Sequence, residues 1–371
     1  IAAASVIAVM KGDTEEKCPL FRWISLIHCN FSLISSIIRI LVSGGAYMDK
    51  TVLEKYTKTY GTRFSRRQKK RFIEALHQDF HALGYEPTMI EGKKLLSHAH
   101  NYLYGNMKQM KTVIVVPYDT PERKFWKKVL YFPFDGTKTA NKTMVATYVP
   151  IFLFFALIFG GLYGLQPLIT STGLASLISC GLFLLTVMLM YWMMHGFHNA
   201  HNYNRNSATI AAAVEIAKGL NRDERKKVGF LFTDKNKMRF IGAEAAAKDL
   251  ANAGKNPTLI CLDCIAKGSV VQIGFNPQNR KLANEIAKYH PKKKSIDVIK
   301  LNEEMRTQNA MAYFKKAVVI SCGELDDAGS LCVIGTGTGK DRDIELETLD
   351  GNITMVKEYL HNQKLKKEGA A

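Results

Sequence analysis

The stretch "KTVIVVPYDTP" (Lys111–Pro121) places a carboxylate, Asp119, just beyond an uninterrupted apolar run from Val113 to Val116. A strand that apolar reads as buried on both faces, and in an open α/β sheet the loops after such strands gather the binding groups. Asp119 is therefore a candidate ligand or orienting group. A second candidate is "HGFHNAH", where His195, His198 and His201 fall three apart. On a continuing helix they share an arc of about 120°, and three imidazoles so placed can bind Zn²⁺ or Cu²⁺. The blander reading, polar residues closing an apolar helix, is preferred.

Three further patterns read as structural. Cys261 and Cys264 form a CxxC inside the apolar run "TLICLDCIAKG", with no second pair at zinc-finger spacing, and read as small buried side chains. "GTGTGKDRD" (Gly335–Asp343) resembles a phosphate loop, but Ile334 stands at its first glycine and Asp341 where Ser or Thr would hold Mg²⁺. It reads as a flexible glycine loop. Glu303 and Glu304 are adjacent carboxylates on a solvated face.

The elements that must position these groups alternate. "SRRQKKRFIEALHQDFHALGYEP" predicts an amphipathic helix, N-capped by Ser65, with Phe72, Ile73, Leu76, Phe80 and Leu83 on one face and Gly84 as its stop. Its basic start (Arg63, Arg66, Arg67, Lys69, Lys70, Arg71) reads as lipid-facing or solvated charge in preference to a nucleic-acid grip. Beyond residue 203, helices at "NSATIAAAVEIAKGL", "IGAEAAAKDLANAG", "NRKLANEIAKYH" and "NITMVKEYLHNQKL" alternate with strands at "KKVGFLFTD", "PTLICLDCIAKG" and "KAVVISCG". With the strand before Asp119, this predicts an α/β fold: a mostly parallel central sheet of at least four strands, covered by helices.

Composition sets the class. The chain has 371 residues, 47% of them hydrophobic, which excludes a disordered protein. Fifty-one Lys and Arg against 33 Asp and Glu give a net charge of +18, which implies an anionic partner. Seven cysteines are an odd count in a long chain, arguing against a disulfide framework and for a reducing compartment.

Between Lys142 and Arg205 lie 62 residues without a single Asp, Glu, Lys or Arg. Within them 148–165 and 173–194 each approach the 20 or so apolar residues that span a bilayer, joined by "QPLITST". They predict a transmembrane helical hairpin inserted in the α/β domain. Arg123, Lys124, Lys127, Lys128, Lys138 and Lys142 before it, and Arg205 and Lys218 after it, put both ends on the cytoplasmic side by the positive-inside rule. The anionic partner is then a lipid leaflet, with nucleic acid the weaker reading.

Four segments follow: 1–47, 48–142, 143–202 and 203–371. The first opens on Ile1 and contains "WISLIHCNFSLISSII" (Trp23–Ile38). It reads as an extension, from a misassigned start or as a short membrane segment, with Met48 opening the domain.

The order of pieces resembles the di-zinc aminopeptidase family, whose relatives include glutaminyl cyclase and the non-catalytic transferrin receptor and nicastrin domains. A helix ending in "LGYEP" comes first, and then "VVPYDT" stands where the family has His-x-Asp. "NRNSATIAAAVEIAKGL" stands where it has Asp-Asn-Ala-Ser-Gly before an Ala-rich helix. "VGFLFTDKNKMRFIGAEAAAKDL" follows at the Glu-Glu turn, and "LICLDCIAKG" at the Leu-Asp-Met-Ile-Gly strand. The resemblance spans roughly 63–142 and 203–360 and implies a zinc-exopeptidase-like fold.

It also implies a site, and this chain departs from it. In the family, two Zn²⁺ ions are held by His and carboxylate ligands, and a Glu serves as general base. Position by position, the first His becomes Pro117, the bridging Asp becomes Arg205, and the Glu pair becomes Asn236 and Lys237. No histidine lies between His290 and His361 to supply the last ligand. Asp263 is the only retained ligand type, and Asp119 would orient a His that is absent. The expectation is a degenerate pocket, cationic around Arg205 and Lys237, without zinc or peptidase activity. Such a pocket suits an anionic ligand or peptide carboxylate, in a binding or scaffold protein that could also engage a membrane protein partner. The alternative is an active membrane-bound metallo-aminopeptidase with relocated zinc ligands, His195, His198 and His201 with Asp263.

Overall fold

A computed structural model describes residues 48–94, 97–123, 130–165, 172–196, 198–236, 240–291, 296–307 and 309–368. The sequence expectations for residues 1–47, and for Lys237, lie outside them.

Helix α1 (Lys50–Glu54) runs into a π turn, Lys55–Thr59, and α2 (Arg66–Ala82) follows. Strands β1 (Pro87–Lys94), β2 (Ser97–Tyr104) and β3 (Thr112–Pro117) come next; a short β4 (Leu130–Tyr131) precedes two long helices, α3 (Gly136–Leu165) and α4 (Thr172–His195). A second π turn, Tyr203–Ser207, opens α5 (Ala208–Gly219), followed by α6 (Arg222–Lys227), β5 (Val228–Thr233), α7 (Ile241–Asn252) and β6 (Thr258–Asp263). The remainder is β7 (Val270–Phe275), α8 (Arg280–Ala287), β8 (Ile296–Lys300), α9 (Glu303–Thr307), β9 (Ala317–Leu325), β10 (Leu331–Ile334) and α10 (Leu346–Glu368).

The strands form one sheet in the order β1-β2-β5-β3-β6-β9-β10-β4, with β7 on β9 and β8 on β7. At its centre β5, β3, β6 and β9 are mutually parallel; β5 is buried throughout, and β3 and β6 are buried in all but their last residue. Both faces being covered, these strands read as apolar runs in the sequence. The sheet as a whole is mixed rather than mostly parallel. Among the described residues four of its nine pairings are parallel, because antiparallel strands flank the centre on both sides. Strand β2 alternates buried and exposed side chains, as a one-sided flank does.

Successive residues of β3 point to opposite faces. Ile114 and Val116 enter a core shared with α2, α5, α8 and α10, while Val113 and Val115 enter one shared with α7 and Phe134. Helix α2 starts at a capping box, Ser65 accepting from the Gln68 amide and Gln68 reaching back to the Ser65 amide. It lays Phe72, Leu76 and Phe80 into the core, where Phe80 stacks on Tyr104 at 4.4 Å and meets Phe230 and Phe232 edge-on or tilted. Full burial of one such side chain is worth about 1.5–3 kcal/mol. Alanines 211, 212 and 213 let α5 lie close against the same layer.

Helices α3 and α4 cover the two segments from which the sequence predicts a membrane hairpin, but that hairpin is not established by the structure. Among the described residues no helix is long and apolar enough to cross a membrane, the side chains at 146, 147, 150, 162 and 165 and at 190 and 192–195 lying outside the description.

Candidate functional site

The C-terminal ends of the parallel strands meet at the π turn before α5, and four successive residues of that turn each make a tertiary contact. Asn204 accepts from the Ala266 amide at 3.1 Å, beyond the end of β6. Arg205 donates to Asp263 Oδ1 and to Cys264 Sγ, the latter at 3.3 Å. Asn206 donates to the Asp119 carbonyl, beyond the end of β3. Ser207 Oγ lies 3.2 Å from both terminal nitrogens of Arg63. A turn that opens the hydrogen-bond ladder by one residue leaves its side chains free to radiate in this way.

Asp263 is held from both sides. Arg205 pairs with Oδ1, while the Tyr131 hydroxyl donates to Oδ2 at 2.6 Å. The Arg205 guanidinium also lies 3.7 Å over the Tyr131 ring, a cation–π stack. The Arg205 and Asp263 side chains are only 18% and 17% exposed. Burial lowers the Arg205 pKa and the Asp263 charge beside it raises it, the net direction being up, so the cation is locked on. Burial, with Asp263 adding to it, pushes the Cys264 thiol up, and burial pushes Cys261 to about 12, as expected of inert interior cysteines.

Asp119 is buried, and its Oδ1 accepts from Asn236 Nδ2 at 3.0 Å. Asn236 is tied in turn to the Thr233 carbonyl at 2.9 Å. Pro117 closes β3 opposite Thr233 and offers no donor atom. Asp234, one residue past β5, is paired with Lys69 from α2. Pro117, Asp119, Arg205, Asn236 and Asp263 thus lie at the C-terminal end of the central strands β5, β3 and β6.

Among the described residues, His198 and His201 do not form such a group with Asp263. His198 is exposed and bridges Glu122 through the backbone, and His201 Nε2 faces the Arg342 guanidinium at 2.5 Å. Burial lowers the His201 pKa, and Arg342 and Arg123 lower it further. Among the described residues no three His, Cys, Asp or Glu side chains are placed to hold a metal ion, and the side chain of His195 is not among them.

Two basic residues do not face lipid or solvent as the sequence suggests. Arg63 is completely buried: its Nε donates to the Tyr118 carbonyl at 2.6 Å, its Nη1 to the Tyr60 carbonyl, and it sits 5.2 Å over the Phe72 ring. Lys69 is consumed by Asp234. The glycine loop is also not loose. Thr336, Thr338 and Asp341 are buried, and Thr338 Oγ1 donates to the Gly335 carbonyl at 2.7 Å. Asp341 Oδ1 accepts from the Asn204 amide at 2.9 Å, while Oδ2 has no partner among the described residues. Burial pushes its carboxyl up to about 7. Tyr131, Arg63 and Asp341 are the site residues that sequence reasoning missed.

No family model and no curated protein sequence matches the chain. Solved structures do. Glutaminyl cyclase from Porphyromonas gingivalis superposes with a TM-score of 0.53 at 12% identity, over 84% of this chain and 96% of that one. Glutaminyl cyclase from Bacteroides thetaiotaomicron, bound to N-acetylhistamine, gives 0.52 at 16% identity over 85% and 98%. LapB from Legionella pneumophila gives 0.51 at 10% identity over 85% and 72%. The fold is zinc-aminopeptidase-like. At these identities the likeness concerns architecture only, and the chemistry rests on this chain's own residues.

Proposed function

We propose that this chain is a membrane-anchored aminopeptidase-like protein that has given up zinc peptidase chemistry and serves as a binding or scaffold protein. The observation that carries the reading is the Arg205–Asp263–Tyr131 cluster. Asp263, the one ligand type retained at a family position, has both oxygens engaged by the protein's own donors. The cation pressed on it would repel a divalent ion at a few ångströms. Pro117 brings no ligand atom, and Asn236 spends its amide on Asp119 and Thr233 in place of a general base. The donor set does not fit a zinc centre.

Support for anchoring comes from helices α3 and α4. Over roughly 45 Å and 36 Å of helix at 1.5 Å per residue, they turn large apolar side chains outward. Phe152, Leu157 and Tyr163 are each 75% exposed and Leu177 71%, far more apolar surface than a soluble monomer leaves bare. An acyl-chain environment covers such a surface, with the α/β body on the cytoplasmic side by its flanking charges. Partners of such a scaffold are a membrane protein, a peptide or an anionic ligand. The test is enzymatic. The purified full chain, supplied with zinc, should neither hydrolyse aminoacyl-nitroanilides nor cyclise an N-terminal glutaminyl peptide. Turnover abolished by Asp263→Ala would overturn the proposal.

A further inference from the structure

The opposite end of the same sheet holds a cavity of about 870 Å³. It lies at the N-terminal ends of the four central strands, and the residues that open those strands share a pattern. Lys227 immediately precedes β5, Lys111 precedes β3 and Lys316 precedes β9, while Lys255 stands three residues before β6. All four line the cavity, together with Lys281 from α8.

Parallel pairing puts them level. Thr112 is in register with both Val228 and Thr258, and Leu259 with Ala317. The Lys111 amide donates to the Lys227 carbonyl at 2.7 Å, and the Leu259 amide to the Lys316 carbonyl at 2.8 Å. With strands about 4.8 Å apart, the lysines from 227 to 316 span a rim of roughly 15 Å.

Five lysines and two glutamates, Glu224 and Glu285, line this cavity, and the Lys255 ammonium donates to the Lys108 carbonyl at 3.4 Å. Glu224 is already committed, accepting from the Asn221 amide at 2.8 Å and meeting His361 at 2.6 Å. Lys227, Lys281 and Lys316 have no ion-pair partner among the described residues. Leu282, Leu360 and Val228 supply an apolar wall, and Thr258 supplies a hydroxyl. The volume is that of a small-molecule site and exceeds what a single inorganic ion fills. Lysine is a point-charge phosphate binder, suited to phosphates that arrive in several orientations.

We infer that this cavity binds a multiply charged organic phosphate, its phosphates on the lysine rim and its carbon skeleton against the apolar wall. The same chemistry is offered by a soluble phosphorylated metabolite and by a phospholipid headgroup. The inference is independent of the zinc question, since it uses no residue of the opposite end.

The test uses the full chain in phosphatidylcholine nanodiscs, titrated calorimetrically with inorganic triphosphate and, separately, with dioctanoyl phosphatidic acid. Saturable binding of at least one probe is expected. It should weaken about tenfold or more in the triple variant Lys111→Gln, Lys227→Gln, Lys316→Gln, a loss comparable to one or more charge-assisted contacts. A control with the same charge change on exposed lysines elsewhere, Lys70→Gln, Lys93→Gln, Lys248→Gln, should change it less than twofold. Tighter triphosphate assigns the site to soluble phosphates, and tighter phosphatidic acid to headgroups. On the unmodified protein, the tighter probe should shield Lys111, Lys227 and Lys316 from acetylation while leaving Lys70 reactive. Binding of neither probe, equal loss in both triple variants, or absence of shielding would each overturn the inference.

Discussion

The two ends of the central sheet differ in how their charges are met. At the C-terminal end, carboxylates follow β3 and β5 and close β6, and each has a partner from within the chain: Asn236 for Asp119, Lys69 for Asp234, and Arg205 with Tyr131 for Asp263. At the N-terminal end, lysines precede the same strands and line an open cavity. The first end is closed chemically although it sits where open α/β sheets usually bind ligands. The second is open although nothing in the sequence marks it. Location in the fold therefore does not decide where a ligand goes, whereas the balance of charge around each end does.

Breaking the closed end should cost most. Arg205→Met leaves Asp263 as a largely buried carboxylate without its counter-charge, and urea unfolding should show a loss of about 3 kcal/mol. The double variant Arg205→Met, Asp263→Leu should recover much of it, because an apolar pair replaces an ion pair at little net cost. At the open end, Lys227→Met should stay within about 0.5 kcal/mol of the parent. Equal losses at both ends would erase the contrast.

A pH series sharpens the comparison next. The Asp341 carboxyl is pushed up to about 7 by burial, against about 3.9 in the unfolded chain. Over that window the folded state holds a proton that the unfolded state has released. The contribution of Asp341 is therefore fully present below about pH 4 and is lost as pH rises to about 7. Asp341→Asn, which keeps the acceptor for Asn204, should remove this slope and gain roughly 1–3 kcal/mol on the parent between pH 5 and pH 8. Parallel stability curves for the two proteins would contradict the burial argument.

Within the closed end, Tyr131→Phe should cost less than Arg205→Met. It deletes one hydrogen bond to a carboxylate while keeping the ring under Arg205, and should cost about 1.5 kcal/mol in the same unfolding assay. A cost as large as that of Arg205→Met would make Tyr131, rather than the cation, the keystone of the cluster.

What the sequence discloses follows from how each element is buried. β3, β5, β6 and β9 are legible because a strand covered on both faces must be apolar throughout. β1 and β2 are not, because a one-sided strand such as "SHAHNYLY" mixes polar and apolar residues, and β4 is only two residues long. Asp119, Arg205, Asn236 and Asp263 are recognisable as a group through the order of motifs. Tyr131 is not, since it arrives from a strand at the far edge of the sheet order. Arg63 looks like one more cation in a basic run, and only the carbonyls of Tyr60 and Tyr118 make its burial intelligible. The lysine rim is scattered from 111 to 316, and parallel register alone brings it level.

Metal analysis tests the central claim most directly. The full chain, purified in detergent, incubated with excess zinc and desalted, should retain well under 0.1 zinc per chain by plasma mass spectrometry, and Asp263→Ala should not change that value. Retention of one or two zinc ions per chain, lost in Asp263→Ala, would contradict the account.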